Sequence, residues 1–193
     1  MTDETFSASG PTPAGTPATA AHRSAPLVVM GVQGCGKSTV GRGLAQALER
    51  RFVDGDDLHS AAAREKMASG HPLTDTDRLP WLARVAQTVA DALDQGESIV
   101  IACSALKRSY RDLMRDIVPT LEFVELFGSR ELIAERLTHR NHEYMPPTLL
   151  DSQFTALEPL HPTEAGLRID LAQSPDRIVA LAAAHLACPR SPA

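Results

Sequence analysis

The sequence predicts an α/β fold of three layers, a five-stranded parallel sheet with helices on both faces. Short apolar runs of strand length alternate along the chain with longer segments whose apolar residues recur at helical spacing. Such alternation is typical of parallel strands joined by helical crossovers. The chain has 193 residues, 43% of them apolar, which is enough for one domain with a sizeable core.

The predicted elements follow one another without a long linker. The five strands are expected at 27–30, 52–54, 98–102, 121–127 and 167–170. The helices are expected at 37–49, 58–70, 79–95, 107–117, 129–139, 147–157 and 175–186. These elements fill a domain at 26–187, between a tail at 1–25 that we expect to be disordered and a short tail at 188–193.

Composition excludes several classes of function. The net charge of −5 argues against nucleic acid as a partner, because phosphate backbones bind basic surfaces. No run approaches the roughly 18 apolar residues of a membrane span, and no secretory signal is recognisable. Cys35, Cys103 and Cys188 are scattered without metal-site or disulfide spacing. We therefore expect a cytoplasmic protein that acts on a small molecule.

The first apolar run leads into a glycine-rich stretch that matches G-x-x-x-x-G-K-S from Gly31 to Ser38, the phosphate-binding loop or P-loop. Its glycines let successive backbone N–H groups turn toward phosphate oxygens. Lys37 is expected to reach the β and γ phosphates of ATP, and the Ser38 hydroxyl to bind Mg²⁺. The predicted nucleotide-binding residues are Gly31, Val32, Gln33, Gly34, Cys35, Gly36, Lys37, Ser38 and Thr39. A glycine-rich turn without a ligand is the alternative.

Acidic residues follow the second predicted strand, at the edge where open α/β sheets bind ligands. Asp54 is expected to order Mg²⁺ through water, and Asp56 to accept the proton of an attacking hydroxyl. The third strand ends without an aspartate, so the carboxylates after the second strand must serve the site. A solvated Asp-Gly turn is the alternative interpretation.

Two arginines near the end of the fifth predicted helix, Arg136 and Arg140, lie four residues apart and can project together toward phosphates. A polar, Pro-Pro stretch then breaks the helix, and the segment at about 138–148 is predicted to be a mobile lid. The predicted catalytic residues are thus Lys37, Asp56 and the two arginines, which would neutralise the transferring phosphoryl group. A solvated helix face is the alternative for the arginines.

Five strings of the sequence carry a family resemblance. They read G-V-Q-G-C-G-K-S-T-V-G from Gly31, F-V-D-G-D-D-L-H from Phe52, K-M-A-S-G-H-P-L-T-D-T-D-R-L-P-W-L from Lys66, A-C-S-A-L-K-R-S-Y-R-D from Ala102, and M-P-P-T-L-L-D-S-Q-F-T-A-L-E-P from Met145. The first string is shared by many kinases. Together, over about residues 26–186, they resemble the small, adenylate-kinase-like gluconokinases, which are similar in outline to shikimate kinases.

The resemblance implies a P-loop kinase fold with a lid and the ATP-dependent phosphorylation of D-gluconate at its 6-hydroxyl. It also implies a cytosolic, usually dimeric enzyme. Candidates for contact with the sugar acid, carried over by position, are Asp56, His59, Lys66, Arg78, Lys107 and Arg111. A sugar acid needs a cation for its carboxylate and polar groups that orient its hydroxyls, and this set contains both. Which cation meets the carboxylate is left open.

The chain departs from the family pattern at Gln33 and Cys35, where many members carry Ser, and at 142–144, where many carry Gly-His-Phe. A loop that works through its backbone should tolerate the first departure, whereas the second bears on lid contacts. Shikimate kinase is the nearest enzyme alternative, although no Gly-Gly-Gly stretch is present. A nucleotide-regulated binding module is the alternative from another class.

Overall fold

The computed structural model describes residues 25–138 and 147–187 of the chain. Outside this description lie residues 1–24 of the tail predicted at 1–25, the predicted tail at 188–193, and residues 139–146 of the predicted lid. The strands are β1 (Leu27–Met30), β2 (Arg51–Asp54), β3 (Ile99–Ala102), β4 (Glu122–Phe127) and β5 (Gly166–Asp170). The helices are α1 (Lys37–Ala47), α2 (Ala61–Ala68), α3 (Asp75–Asp94), α4 (Arg108–Ile117), α5 (Arg130–Thr138), α6 (Pro147–Ala156) and α7 (Pro175–Ala187).

The five strands form one parallel sheet in the order β2-β3-β1-β4-β5, which confirms the predicted sheet. Strand β1 is central and completely buried, and its side chains alternate between two cores. Val28 and Met30 pack with residues of α3 and α4 on one face, whereas Leu27 and Val29 pack with α1 and α7 on the other. A strand that is covered on both faces reads as a continuous apolar run, which is why this strand was recognisable.

The strand order brings three loops together at one edge. The loops after β1, β2 and β3 lie side by side, because β3 pairs with both β1 and β2. The Gly31 N–H donates to the Ser104 carbonyl at 3.3 Å, so the first loop contacts the third directly. This edge is where doubly wound sheets bind their ligands.

One predicted helix is wrong over part of its length. The chain expected to be helical at 58–70 forms a 3-10 turn at Gly55–Leu58, an extended break at His59, and then α2. The break arises because Ser60 caps α2, its hydroxyl accepting from the Ala63 N–H at 3.1 Å. His59 therefore lies outside the helix that carries Lys66.

Helix α3 begins four residues earlier than predicted, at Asp75 instead of Leu79. Thr74 and Asp77 form a reciprocal capping box at its start, a local signal that outweighs the proline as a marker of the first turn. Pro80 lies inside the helix and not in its first turn. The earlier start places Asp75 and Arg78 on the helix, where they face the loop edge of the sheet.

Among the described residues, no helix has the length and apolar character needed to cross a membrane.

Candidate active site

The P-loop has the geometry that its glycines predict. Gly31, Gly34 and Gly36 have φ angles of 140°, 81° and 94°, in the region that side chains disfavour. A Cβ on Gly31 would lie 2.6 Å from the Leu126 carbonyl oxygen, whereas a Cβ on Gly36 would meet nothing within 4 Å. Space is thus open in front of Gly36, where a ligand can approach the backbone.

Gly36 is also the N-cap of α1, and no side chain within the described part of the chain caps this helix. N–H groups at an uncapped helix start need an acceptor, and a phosphate is a common one. The Lys37 ammonium donates to the Val32 carbonyl at 3.1 Å and closes the loop on itself. The loop is therefore shaped for an anion before one is bound.

Ser38 and Asp54 connect the P-loop to the end of β2. The Ser38 hydroxyl donates to Asp54 Oδ2 at 2.7 Å, and Asp54 Oδ1 accepts from the Asp56 N–H at 3.2 Å. A hydroxyl beside a carboxylate suits Mg²⁺, which takes a few protein oxygens and otherwise water and phosphate oxygens. Among residues 25–138 and 147–187 no group of three or more His, Cys, Asp or Glu side chains could hold a metal by itself.

Cys35 packs inside the P-loop, only 1% exposed. Burial raises the pKa of the Cys35 thiol, and burial likewise raises the pKa of Cys103 to about 12. A buried thiol that stays protonated is a poor nucleophile. Cys35 is best explained as a small residue that fits the loop.

The segment that carries Asp56 is held by Trp81. The indole N–H of Trp81 donates to the Gly55 carbonyl at 2.7 Å, and the His59 ring stacks on Trp81 with centroids 4.1 Å apart. Asp56 itself is 75% exposed, at the carboxyl end of β2. Trp81 therefore holds the backbone next to Asp56, while the Asp56 carboxylate is open to an incoming molecule.

His59 is buried, and burial lowers the pKa of its imidazole, so the ring is neutral at pH 7. Its Nε2 lies 4.0 Å from Asp56 Oδ1, and its Nδ1 has no partner among the described residues. A neutral ring at that distance does not form an ion pair. His59 instead lies behind Asp56, between that residue and the core.

Two lysines predicted to contact substrate are paired with aspartates of α3. Lys66 Nζ lies 2.6 Å from Asp77 Oδ2, at a cavity of about 300 Å³ between α2 and α3. Lys107 Nζ lies 2.7 and 2.9 Å from the two oxygens of Asp75, which also accepts from the Tyr110 hydroxyl. Hydrogen bonds from Lys107 and Tyr110 lower the pKa of Asp75. Both lysines are therefore held in place by carboxylates.

Arg111 is not brought into the cleft with the other predicted residues. Its side chain is 0% exposed and binds Glu164 through Nε and Nη2, both at 2.8 Å. Its Nη1 donates to the carbonyls of Ala105, Leu106 and Glu158 at 3.0–3.2 Å. With its donors engaged inside the protein, Arg111 has a structural role here, and the expectation that it contacts substrate is not supported. Sequence could not reveal this, because the partner Glu164 lies 53 residues away.

Of the three remaining predicted cations, the structure describes the contacts of two. Arg78 Nε donates to the Leu73 carbonyl at 3.3 Å, and its charge acts on both His59 and Asp75. Arg136 Nη2 donates to the Leu171 carbonyl at 2.6 Å. Arg140 lies outside the described residues.

Sequence reasoning missed Gln153, whose side-chain oxygen accepts from the Gln33 N–H at 2.7 Å. It also missed Asp75 and Tyr110, the partners of Lys107. Gln153 lies in the string from Met145, and Asp75 lies in the string from Lys66. The family resemblance is therefore the one sequence signal that could have indicated these two residues.

Comparison with known proteins identifies the family. A family model described as an AAA domain matches residues 27–160. The chain is 44% identical to a gluconokinase of Gluconobacter oxydans over 153 residues, 79% of this chain and 86% of that protein. It is 43% identical to the thermosensitive gluconokinase of Escherichia coli over 146 residues, 75% of this chain and 78% of that one.

The fold is likewise shared with a solved structure. A gluconokinase from Sinorhizobium meliloti superposes with a TM-score of 0.79 at 44% identity, covering 85% of this chain and 92% of that one. The predicted P-loop kinase fold and the predicted family are thereby confirmed. On these grounds the chain belongs to the gluconokinase family.

Proposed function

We propose that the protein transfers the γ-phosphate of ATP to the 6-hydroxyl of D-gluconate, giving 6-phospho-D-gluconate and ADP. The observation that carries this proposal is the Ser38–Asp54–Asp56 connection. It holds an exposed carboxylate beside the P-loop, so that an alcohol and a terminal phosphate can meet at one edge of the sheet. The gluconokinase relatives support the choice of acid.

On the nucleotide side, the residues 31–39 would hold the phosphates through backbone N–H groups at the start of α1. Lys37 would exchange its contact with the Val32 carbonyl for the β and γ phosphates. The donor set also fits Mg²⁺, with Ser38 as a direct ligand and Asp54 acting through water. When bound, this ion would offset the negative charge of the phosphate oxygens.

On the acceptor side, Asp56 would accept the proton of the 6-hydroxyl. Its exposure suits this role, because the carboxylate must reach the substrate oxygen directly. The neutral ring of His59 would lie next to Asp56 and help to fix its position, with Nε2 at 4.0 Å from Asp56 Oδ1. This division leaves Asp56 as the only member of the pair that carries charge.

The hydroxyls and carboxylate of the acid would contact Lys66 on α2, Arg78 on α3 and Lys107 at the start of α4. We leave Arg111 out of this set because its donors are engaged in the core. Arg136 and Arg140 are proposed to neutralise the transferring phosphoryl group. A cytoplasmic homodimer is proposed on the family resemblance alone.

A coupled assay of ADP release tests the proposal, with gluconate, with shikimate and with no acceptor. We expect turnover with gluconate that exceeds the acceptor-free rate by orders of magnitude, with 6-phosphogluconate identified by mass spectrometry. Consumption of shikimate instead would favour the other kinase. ATP hydrolysis indifferent to gluconate would favour a nucleotide-regulated binding module.

A further inference from the structure

The end of α6 touches the P-loop. The Gln33 N–H donates to the Gln153 side-chain oxygen at 2.7 Å, across 120 residues of sequence. This is a short, neutral hydrogen bond to the backbone of the loop that would bind ATP. A hydrogen bond at this point limits how far α6 can move relative to the loop.

Five residues later the same segment touches both neighbours of Lys107. The Glu158 N–H donates to the Leu106 carbonyl at 2.9 Å, and the Arg108 N–H donates to Glu158 Oε2 at 2.6 Å. Lys107 is the N-cap of α4 and makes no side-chain cap of its own. The Glu158 carboxylate therefore caps α4 from outside the helix, where a negative charge is favourable.

The backbone just before Lys107 is strained, and buried groups hold it. Ala105 has a φ of 39°, a conformation rare for a residue with a side chain. Arg111 donates to the carbonyls of Ala105, Leu106 and Glu158, so it binds the Lys107 loop and the segment that follows α6 together. Strain of this kind persists where the surroundings fix the chain, often at a functional site.

We propose that the segment from Gln153 to Glu158 fixes the separation between the P-loop and Lys107, with Glu158 as a positioning residue for the acid-binding lysine and Gln153 as its anchor on the nucleotide side. The inference rests on the proposed function, since it takes Lys107 to meet the sugar acid. Its chemical basis is that phosphoryl transfer depends on the relative placement of two bound substrates. A simple helix cap without a role in turnover is the competing explanation.

The first test is Glu158→Ala in the full chain, measured with ATP and gluconate. We expect the KM for gluconate to rise about tenfold while the KM for ATP stays within about twofold, because one hydrogen-bonded cap next to Lys107 is lost. Glu158→Gln keeps an acceptor for the Arg108 N–H and should restore most of the affinity for gluconate. Thr155→Ala is the matched control, since Thr155 donates only within α6, to the Asp151 carbonyl at 3.0 Å.

The second test concerns the anchor. Gln153→Ala should lower kcat about tenfold with smaller changes in the KM for gluconate, because the loop and Lys107 lose their fixed spacing. Gln153→Glu retains the acceptor but adds a negative charge beside the phosphates, so it should raise the KM for ATP instead. In the double variant with Glu158→Ala, the loss of kcat/KM for gluconate should be less than the product of the single losses, since either change already frees the segment.

Three outcomes would overturn the inference. They are a Glu158→Ala variant whose melting temperature falls while both KM values stay unchanged, equal increases in both KM values, and strictly multiplicative effects in the double variant. If Glu158→Ala fails to fold, Gln153→Ala decides the question, and a kcat unchanged from wild type in that variant would overturn the inference. A wild-type protein that leaves gluconate unphosphorylated would instead remove the proposed function itself, and that result is distinguishable because it requires no variant.

Discussion

The two walls of the cleft are built in different ways. The nucleotide wall is made of backbone from one continuous stretch, in which Gly31, Gly34 and Gly36 set the shape and Lys37 closes it. The acceptor wall is made of side-chain pairs that join distant residues, such as Lys107 with Asp75, which are 32 residues apart. A backbone site depends on local conformation, whereas a paired site depends on the whole fold. Changes in the two walls should therefore have different consequences.

The largest effect is expected where the acceptor wall supplies chemistry. Asp56→Asn removes the proposed proton acceptor and should lower kcat by roughly 10²–10⁴-fold with the fold intact, as shown by circular dichroism. Asp57→Asn, a neighbouring exposed carboxylate, is the control and should be close to wild type. Near-normal turnover of Asp56→Asn would show that the base is misassigned.

The nucleotide wall should respond almost as strongly to loss of its charge. Lys37→Ala should lower kcat/KM by roughly 10²–10³-fold, because a fixed cation near the transferring phosphate is lost. The folded structure should be retained, since the contact of Lys37 with the Val32 carbonyl is partly exposed. Lys37→Arg keeps the positive charge and should lose less activity than Lys37→Ala, and near-normal kcat/KM in Lys37→Ala would contradict the proposed role.

Changing Arg111 should chiefly reduce stability, because its partner Glu164 lies in the core. Arg111→Met leaves Glu164 without its main partner in the core and should cost about 3–5 kcal/mol in the free energy of unfolding. Arg108→Met, on the exposed side of the same helix, should cost less than about 1 kcal/mol. Urea denaturation measures both. A stable Arg111→Met variant that no longer binds gluconate would instead indicate that Arg111 contacts the substrate.

Acid should weaken the same buried pair. Burial by itself raises the pKa of Glu164, but hydrogen bonds from Arg111, the His161 N–H and Arg115 outweigh it and lower the pKa from 4.5 to about 2. Because its pKa is lower in the folded state, the ionised Glu164 carboxylate stabilises the folded protein above about pH 4.5. This contribution is lost as the pH falls toward 2. The free energy of unfolding should fall over this range in wild type and less steeply in Glu164→Gln. If the free energy of unfolding falls equally steeply with pH in both proteins, Glu164 is not the group responsible.

The smallest effect is expected from releasing Lys107. Asp75→Asn removes the carboxylate that holds Lys107, so the KM for gluconate should fall about threefold, the range of an exposed ion pair. Asp91→Asn, elsewhere on α3, serves as the control. A rise in the KM would show that Asp75 orients Lys107, and an unchanged KM would remove Lys107 as the partner of the substrate carboxylate.

Several predictions could be made from sequence because their causes are local. The P-loop and the strand β1 follow from patterns a few residues long, and the structure agrees with both. The start of α3 is also set locally, by the Thr74 cap, but the predicted start at Leu79 missed it. The burial of Arg111 could not be predicted for a different reason, because an arginine in a family string looks the same whether it meets substrate or a buried glutamate.

The sequence alone determined the nucleotide wall, the order of strands and helices, and the family, because glycine torsions and apolar periodicity act between neighbours in the chain. Only the tertiary structure decided which charges meet in the proposed acceptor wall, that His59 stacks on Trp81, and that Gln153 and Glu158 contact the P-loop and the start of α4. The physical reason is that hydrogen bonds and ion pairs need distances of about 3 Å. Only the folded chain sets such distances between residues that are far apart in sequence.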